Sequence, residues 1–186
     1  MEWFLTSDTH FNHANIIQYC SRPFKNVSEM NEAMITGWNS VVKPGSSVIH
    51  CGDFAFANRQ EQVTAILKKL NGNIHLIMGN HDRGHVTTAS GFESVSNIRV
   101  FKISGVEITA CHYSMRVWDK SHHGTYHCFG HSHGKLPDDN HSRSMDVGVD
   151  CNEFKPVSFD DFIARMNKKK FTPVTKRSKA DMIFDC

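Results

Sequence analysis

No stretch of this chain stays apolar for the length of a membrane-spanning helix, and no segment is an internal repeat or a low-complexity tract. The six cysteines, Cys20, Cys51, Cys111, Cys128, Cys151 and Cys186, contain no Cys-x-x-Cys pair, which argues against a thiolate zinc site or a thioredoxin-like redox centre. Cys51, Cys111, Cys128 and Cys151 sit in apolar, strand-like runs and read as small hydrophobes, and all six read as reduced thiols. The opening residues Met1-Glu2-Trp3-Phe4-Leu5 carry no basic segment and no small-residue cleavage site, so the expectation is a cytoplasmic protein with no membrane partner. Excess positive charge is also missing from most of the chain. Residues 1–164 hold 14 Lys and Arg against 17 Asp and Glu, a net −3, which does not favour nucleic acid as a partner.

The 186 residues, 39% hydrophobic and 22% charged, suit one soluble domain, placed at residues 1–167. A basic tail follows at 168–186; it reads as a solvated end, with Lys168–Lys170 also favourable at a helix C-terminus. The compositional oddity is 13 histidines, a residue type that both ligates metals and moves protons near neutral pH.

Taken in order, residues 3–7 read as a buried strand that stops at Asp8-Thr9-His10. Ser28 reads as the N-cap of a helix to about Val42. Residues 47–51 form a second strand delivering Gly52-Asp53, and an amphipathic helix spans Gln60 to Leu70. The apolar run 73–78 delivers Gly79-Asn80-His81-Asp82. Residues 98–103 and 106–112 form a hairpin around Ser104-Gly105, ending at His112. Residues 125–129 deliver Gly130-His131-Ser132-His133, and residues 144–151 alternate as a strand. Ser158 and Asp161 resemble a capping box for a helix over residues 159–167. Helices and strands alternating early, then a β-rich second half, predict an α/β fold of two packed sheets with outer helices.

Five strand ends thus each deliver metal-competent side chains: Asp8 and His10, Asp53, Asn80 and His81, His112, and His131 and His133. Carboxylate, amide oxygen and imidazole without thiolate suit manganese first, with iron, zinc or nickel as alternatives, better than Cu(I) or calcium. Leaving His81 aside, seven donors are too many for one tetrahedral ion; two divalent ions sharing a carboxylate use them without excess.

These blocks, spanning residues 8–133, resemble in order the five motifs of the calcineurin-like metallophosphoesterase superfamily; the resemblance extends to the strand Asp146-Val-Gly-Val-Asp150, and the chain is most similar to the small single-domain prokaryotic or phage-type members. The resemblance implies a four-layer α/β/β/α sandwich of two mixed sheets with the metals at the strand ends. It implies Asp8, His10 and His133 on one ion, Asn80, His112 and His131 on the other, and Asp53 bridging. A water or hydroxide between the ions would attack phosphorus in line, and His81 would protonate the leaving oxygen. Some members place a carboxylate three residues after the bridging Asp to pair with the acid; this chain has Phe56 there. What orients His81 is left open, with Asp82 a candidate and capping of the next turn its alternative.

Candidate substrate contacts are Arg22 and Arg83, as guanidinium clamps for phosphate, and Arg116, His122 and His123 in the loop between His112 and His131. Each has a solvated surface residue as its alternative. His50, His75 and His127 lie within strands, and His13, His85 and His141 lie in loops; all six read as structural or solvated. The expected partner is a small phosphorylated substrate, monoester or diester, with the oligomeric state open. The alternatives are a nuclease with the same centre and a non-catalytic interaction module on this fold. The second lacks support because no ligand and no acid is missing.

Overall fold

A computed structural model describes residues 1–177. The last nine positions of the basic tail, Cys186 among them, lie outside the described residues. Five strands form the first sheet, in spatial order β4 (Phe92–Ser96), β3 (Asn73–Ile77), β2 (Ser47–His50), β1 (Trp3–Thr6) and β9 (Val157–Ser158). β1 to β4 run parallel, and β9 is antiparallel to β1. The second sheet orders β5 (Ile98–Ile103), β6 (Val106–Cys111), β7 (Tyr126–Phe129) and β8 (Ser144–Asp146). Its β5–β6 pair is the expected antiparallel hairpin, whereas β6, β7 and β8 are parallel. Two mixed sheets flanked by helices are the architecture that the sequence predicts.

The period-two alternation of β1 to β3 divides their side chains between two cores. Phe4, Val48, Ile74 and Leu76 face outward into a core shared with helices α2 (Val27–Val41) and α3 (Gln60–Leu67). Met30, Met34 and Trp38, one turn apart on α2, fill it; full burial of each such side chain is worth about 1.5–3 kcal/mol. Leu5, Ile49, Cys51 and Ile77 face the other way, into a core between the sheets with Ile108, Ala110, Cys128 and Met145. Helix α4 (Phe159–Asn167) adds Phe162 and Met166 to that inter-sheet core. The helix α1 (Ile16–Tyr19) is a single turn.

Several boundaries differ from expectation. Helix α2 is capped by Asn26, whose extended backbone lets its side chain accept from Glu29 N–H; Ser28 is already inside the first turn. The Ser158 cap is present, accepting from Asp161 N–H. The run 144–151 keeps strand form only to Asp146 and then tightens into a 3₁₀ turn at Val149–Cys151, which leaves Cys151 exposed. The five described cysteines are free thiols. The first part of the tail packs back on the body, with Lys169 paired to Asp138 and Arg177 to Asp139. Among the described residues no helix is long and apolar enough to cross a membrane.

Parallel register is what positions the site. Thr6 aligns with His50 and His50 with Leu76, so the residues that follow β1, β2 and β3 emerge at one edge of the sheet. In the second sheet Ala110 aligns with Cys128 and Cys128 with Met145, so the residues after β6, β7 and β8 emerge together. The two edges are stitched to each other. His131 N–H donates to the Asp8 carboxylate, Val149 N–H to Ser7 C=O, and His112 Nδ1 lies 2.8 Å from Cys51 C=O.

Candidate metal centre

Asp8, His10, Asp53, His131 and His133 all hold positive φ, between 48° and 67°. Left-handed backbone is costly for non-glycine residues and concentrates where function over-determines geometry. Here it turns each side chain back over the strand ends. Two glycines allow the loops to meet: a Cβ on Gly130 would collide with Ser7 and Asp8, and one on Gly79 with the Asp53 carboxylate.

The folded loops gather two donor groups. Asp8, His10 and His133 each offer a donor atom, all within 4.8 Å of one another, and Asp53, His112 and His131 do the same. Asp53 stands between the groups: its Oδ2 lies 3.5 Å from His10 Nε2 and 3.5 Å from His112 Nε2. Asn80 joins the second group, with Oδ1 3.0 Å from His112 Nε2. All seven expected ligands therefore come together.

The donor chemistry fits a cation. His112 Nδ1 faces Cys51 C=O and so carries the proton, leaving a lone pair on Nε2 that faces two oxygens, Asp53 Oδ2 and Asn80 Oδ1. Three acceptors turned on one another suit a cation among them. In the first group His10 Nε2 is buried without a hydrogen-bond partner. Burial, then the nearby Arg22 and imidazole charges, hold the His10 ring far below its usual range, and so neutral and metal-competent. Burial pushes Asp8 up to about 8, against the opposing pull of the nearby His133 charge.

A further layer, built from Arg22 and Asp150, holds these groups, and no spacing along the chain pairs its members. Asp150 Oδ2 lies 2.7 Å from His133 Nδ1, which turns Nε2 toward the first group. Asp150 in turn accepts a bidentate pair from one edge of the Arg22 guanidinium, Nε and Nη2 each at 2.8 Å. Arg22 also donates from Nη2 to Asp8 C=O and from Nη1 to Thr9 C=O and Met30 Sδ. Its five N–H groups are thus committed inside the protein. The phosphate-clamp expectation for Arg22 is corrected: it is a buried brace, neither a substrate contact nor a solvated charge. Burial opposes charge on Asp150, but the His133 and Arg22 hydrogen bonds outweigh it and hold its carboxyl below the usual range. His133 is the converse case: burial lowers it, and the Asp150 hydrogen bond and the Asp8 charge carry it above its usual range. Cys20, His133 and Asp150 also converge within 4.8 Å, but there Arg22 already supplies the positive charge.

Asp82 takes the structural role. Its carboxylate accepts from the N–H groups of Asp53 (2.6 Å), Phe54 (2.8 Å) and Gly79 (2.9 Å), locking the loop after β2 to the loop after β3. It does not orient His81. His81 is exposed, with its N–H donated to Asp53 Oδ1 at 2.9 Å and its ring 5.5 Å from that of His10. Its ring neighbours also include His13 at 6.0 Å and Phe56 at 6.1 Å. His13, expected to be a solvated loop residue, instead sits in the site, with Nδ1 3.4 Å from His10 Nδ1 and its ring stacked on Phe56.

The remaining substrate candidates separate. Arg83 is exposed two residues after His81. Arg116 lines a 580 Å³ cleft with Met115, Phe129 and Leu136, on loops that leave the same strand ends. His122 and His123 are corrected. They form a 3₁₀ turn just before β7, and the adjacent Lys120 pairs with Glu107 at 2.8 Å. Glu107 precedes His112 by five strand positions, about 16 Å, so this turn is at the opposite end of the sheet from the donor groups.

Comparison with known proteins agrees with this geometry. Residues 1–146 match the family model for the calcineurin-like phosphoesterase superfamily domain. The chain is 36% identical over 173 residues to the uncharacterized protein MJ1445 of Methanocaldococcus jannaschii, covering 90% of this chain and 92% of that protein. A protein of unknown function from Aquifex aeolicus, AQ665, superposes with a TM-score of 0.72 at 23% identity, over 88% of this chain and 98% of that one, which shows a shared fold.

Proposed function

Because the chain belongs to the calcineurin-like phosphoesterase superfamily, whose chemistry is metal-dependent phosphoester hydrolysis, we propose that it is a dinuclear phosphoesterase acting on a small phosphodiester or phosphomonoester. The observation that carries the reading is Asp53, one carboxylate oxygen equidistant from a histidine of each donor group. Asp8, His10 and His133 would hold one ion, Asn80, His112 and His131 the other, and Asp53 would serve both; manganese is the first choice, with iron, zinc or nickel as alternatives. When bound, such ions activate a water and offset charge on the phosphoryl oxygens.

The rest falls to the protein. Asp82 keeps the Asp53 and Asn80 loops in register by its three backbone contacts. Asp150 and Arg22 fix the His133 ring. His81 stands exposed over the site and donates a proton from its ring to the leaving oxygen, a contribution of about 10²–10⁴-fold. Its backbone N–H to Asp53 ties the acid to the shared carboxylate. The test is metal-free protein reconstituted with Mn²⁺ and assayed on bis-p-nitrophenyl phosphate and p-nitrophenyl phosphate. Asp53→Asn loses more activity and more bound metal than His10→Ala or His112→Ala. Near-normal activity in the Asp53 variant overturns the shared-carboxylate reading.

A further inference from the structure

The donor groups are flanked by aromatic rings that packing leaves in solvent. On the His10 side, Phe56 is 50% exposed and Tyr19 63% exposed. His13 joins them: its ring stacks on Phe56 at 4.5 Å and 13°, and Tyr19 stands edge-on to it at 6.3 Å. On the other side of Asp53, Tyr113 is 49% exposed and packs edge-on to His112 at 5.0 Å and to His131 at 4.8 Å. Exposed apolar side chains scattered singly need no explanation, but these border one polar centre. Each presents a ring within one side chain's reach of a candidate ligand. A flat aromatic group one ester bond away from phosphorus would find a stacking partner on either flank.

We propose that Phe56, with His13 and Tyr19 behind it, and Tyr113 opposite form stacking walls that select small phosphodiesters bearing nucleobases. This deepens the phosphoesterase reading and rests on it. Two flanks suit a diester, which carries an organic group on each side of phosphorus, better than a monoester, which carries one. The net −3 of residues 1–164 favours a small substrate over a polyanion held along its backbone.

The test holds the chemistry constant. The p-nitrophenyl ester of thymidine 5′-monophosphate and the p-nitrophenyl ester of 2-deoxyribose 5-phosphate share a leaving group and the sugar and differ in the base. On Mn²⁺-loaded full-length protein, wild type prefers the thymidine ester in kcat/KM. Phe56→Leu lowers that preference about tenfold, within the range expected for one lost stack, and Phe56→Trp retains it. Tyr113→Leu lowers kcat/KM for a thymidylyl-thymidine dinucleotide, which carries a base on each ester, more than for the p-nitrophenyl ester of thymidine 5′-monophosphate. A binding arm needs no turnover: thymidine 5′-monophosphate added to metal-free protein shifts the ring resonances of Phe56 and Tyr19. An unchanged preference in Phe56→Leu, equal losses on both esters, or no shift of those resonances overturns the proposal. A strong preference for oligothymidylate that salt abolishes overturns its small-substrate part. If wild type hydrolyses neither ester with any metal yet the resonances shift, the phosphoesterase reading fails instead.

Discussion

Replacing Asp150 with Ala removes the keystone of a buried polar chain that runs from the peptide backbone to a candidate metal ligand. The side chains of Arg22 and Asp150 are 0% and 8% exposed and meet at 2.8 Å through two hydrogen bonds. The variant leaves Arg22 buried with two of its N–H groups unpaired, while Asp8 and Thr9 C=O still hold the guanidinium in place. Removing one partner of a buried pair costs about 3–5 kcal/mol, because the other charge is left uncompensated. For a chain of this size that lowers Tm by on the order of 10 °C. The second consequence is local. His133 Nδ1 loses its acceptor at 2.7 Å, so the ring no longer has a fixed orientation, and metal affinity falls by about 10–100-fold. Urea denaturation of metal-free protein reads the first effect, since bound metal would mask it. Calorimetric titration with Mn²⁺ reads the second and separates it from general damage, because one equivalent weakens and the other, held by Asn80, His112 and His131, does not. Asp150→Asn keeps the shape and an acceptor oxygen and loses less in both assays. A stability loss under about 1 kcal/mol with both equivalents unchanged refutes the brace.

His81→Ala retains both metal equivalents and slows alkyl phosphoesters by about 10²–10⁴-fold but p-nitrophenyl esters clearly less, because p-nitrophenolate leaves without a proton; equal losses on both argue against an acid role. A pH dependence follows from His127, whose Nδ1 lies 2.8 Å from Thr109 C=O and whose Nε2 accepts from Met115 N–H. Burial pushes it down to about 4, so between pH 6.5 and 4 the unfolded chain takes up a proton that the folded one refuses, and stability falls as pH falls. Metal-free wild type therefore loses stability on acidification through this window more steeply than His127→Gln, by up to about 1.4 kcal/mol per pH unit; parallel profiles in urea melts contradict it.

What could be read in advance was what is local in sequence. Asp8 and His10, Gly52-Asp53, Gly79-Asn80-His81 and His131 with His133 each follow an apolar run directly, so strand periodicity alone places them at an edge. The hairpin turn at Ser104-Gly105 was legible for the same reason. The brace was not. Arg22 and Asp150 are 128 residues apart, and although the resemblance reaches the strand that carries Asp150, nothing local pairs it with Arg22 or with His133. His13 looked like any loop histidine, and only the fold sets it on Phe56, the position where a carboxylate was sought. Strand β4 is half-exposed at a sheet edge and β9 is two residues long, so neither carries a usable hydrophobic signal. For His122 and His123, closeness to ligands along the chain misled, because the loop after His112 travels the full length of β6 before β7 begins.

Anomalous diffraction from crystals of the manganese-loaded protein tests the central claim most directly. The account predicts two peaks about 3.5–4 Å apart with the Asp53 carboxylate between them, one beside Asp8, His10 and His133 and the other beside Asn80, His112 and His131. A single peak at full occupancy, or a peak between Cys20 and Asp150, contradicts it.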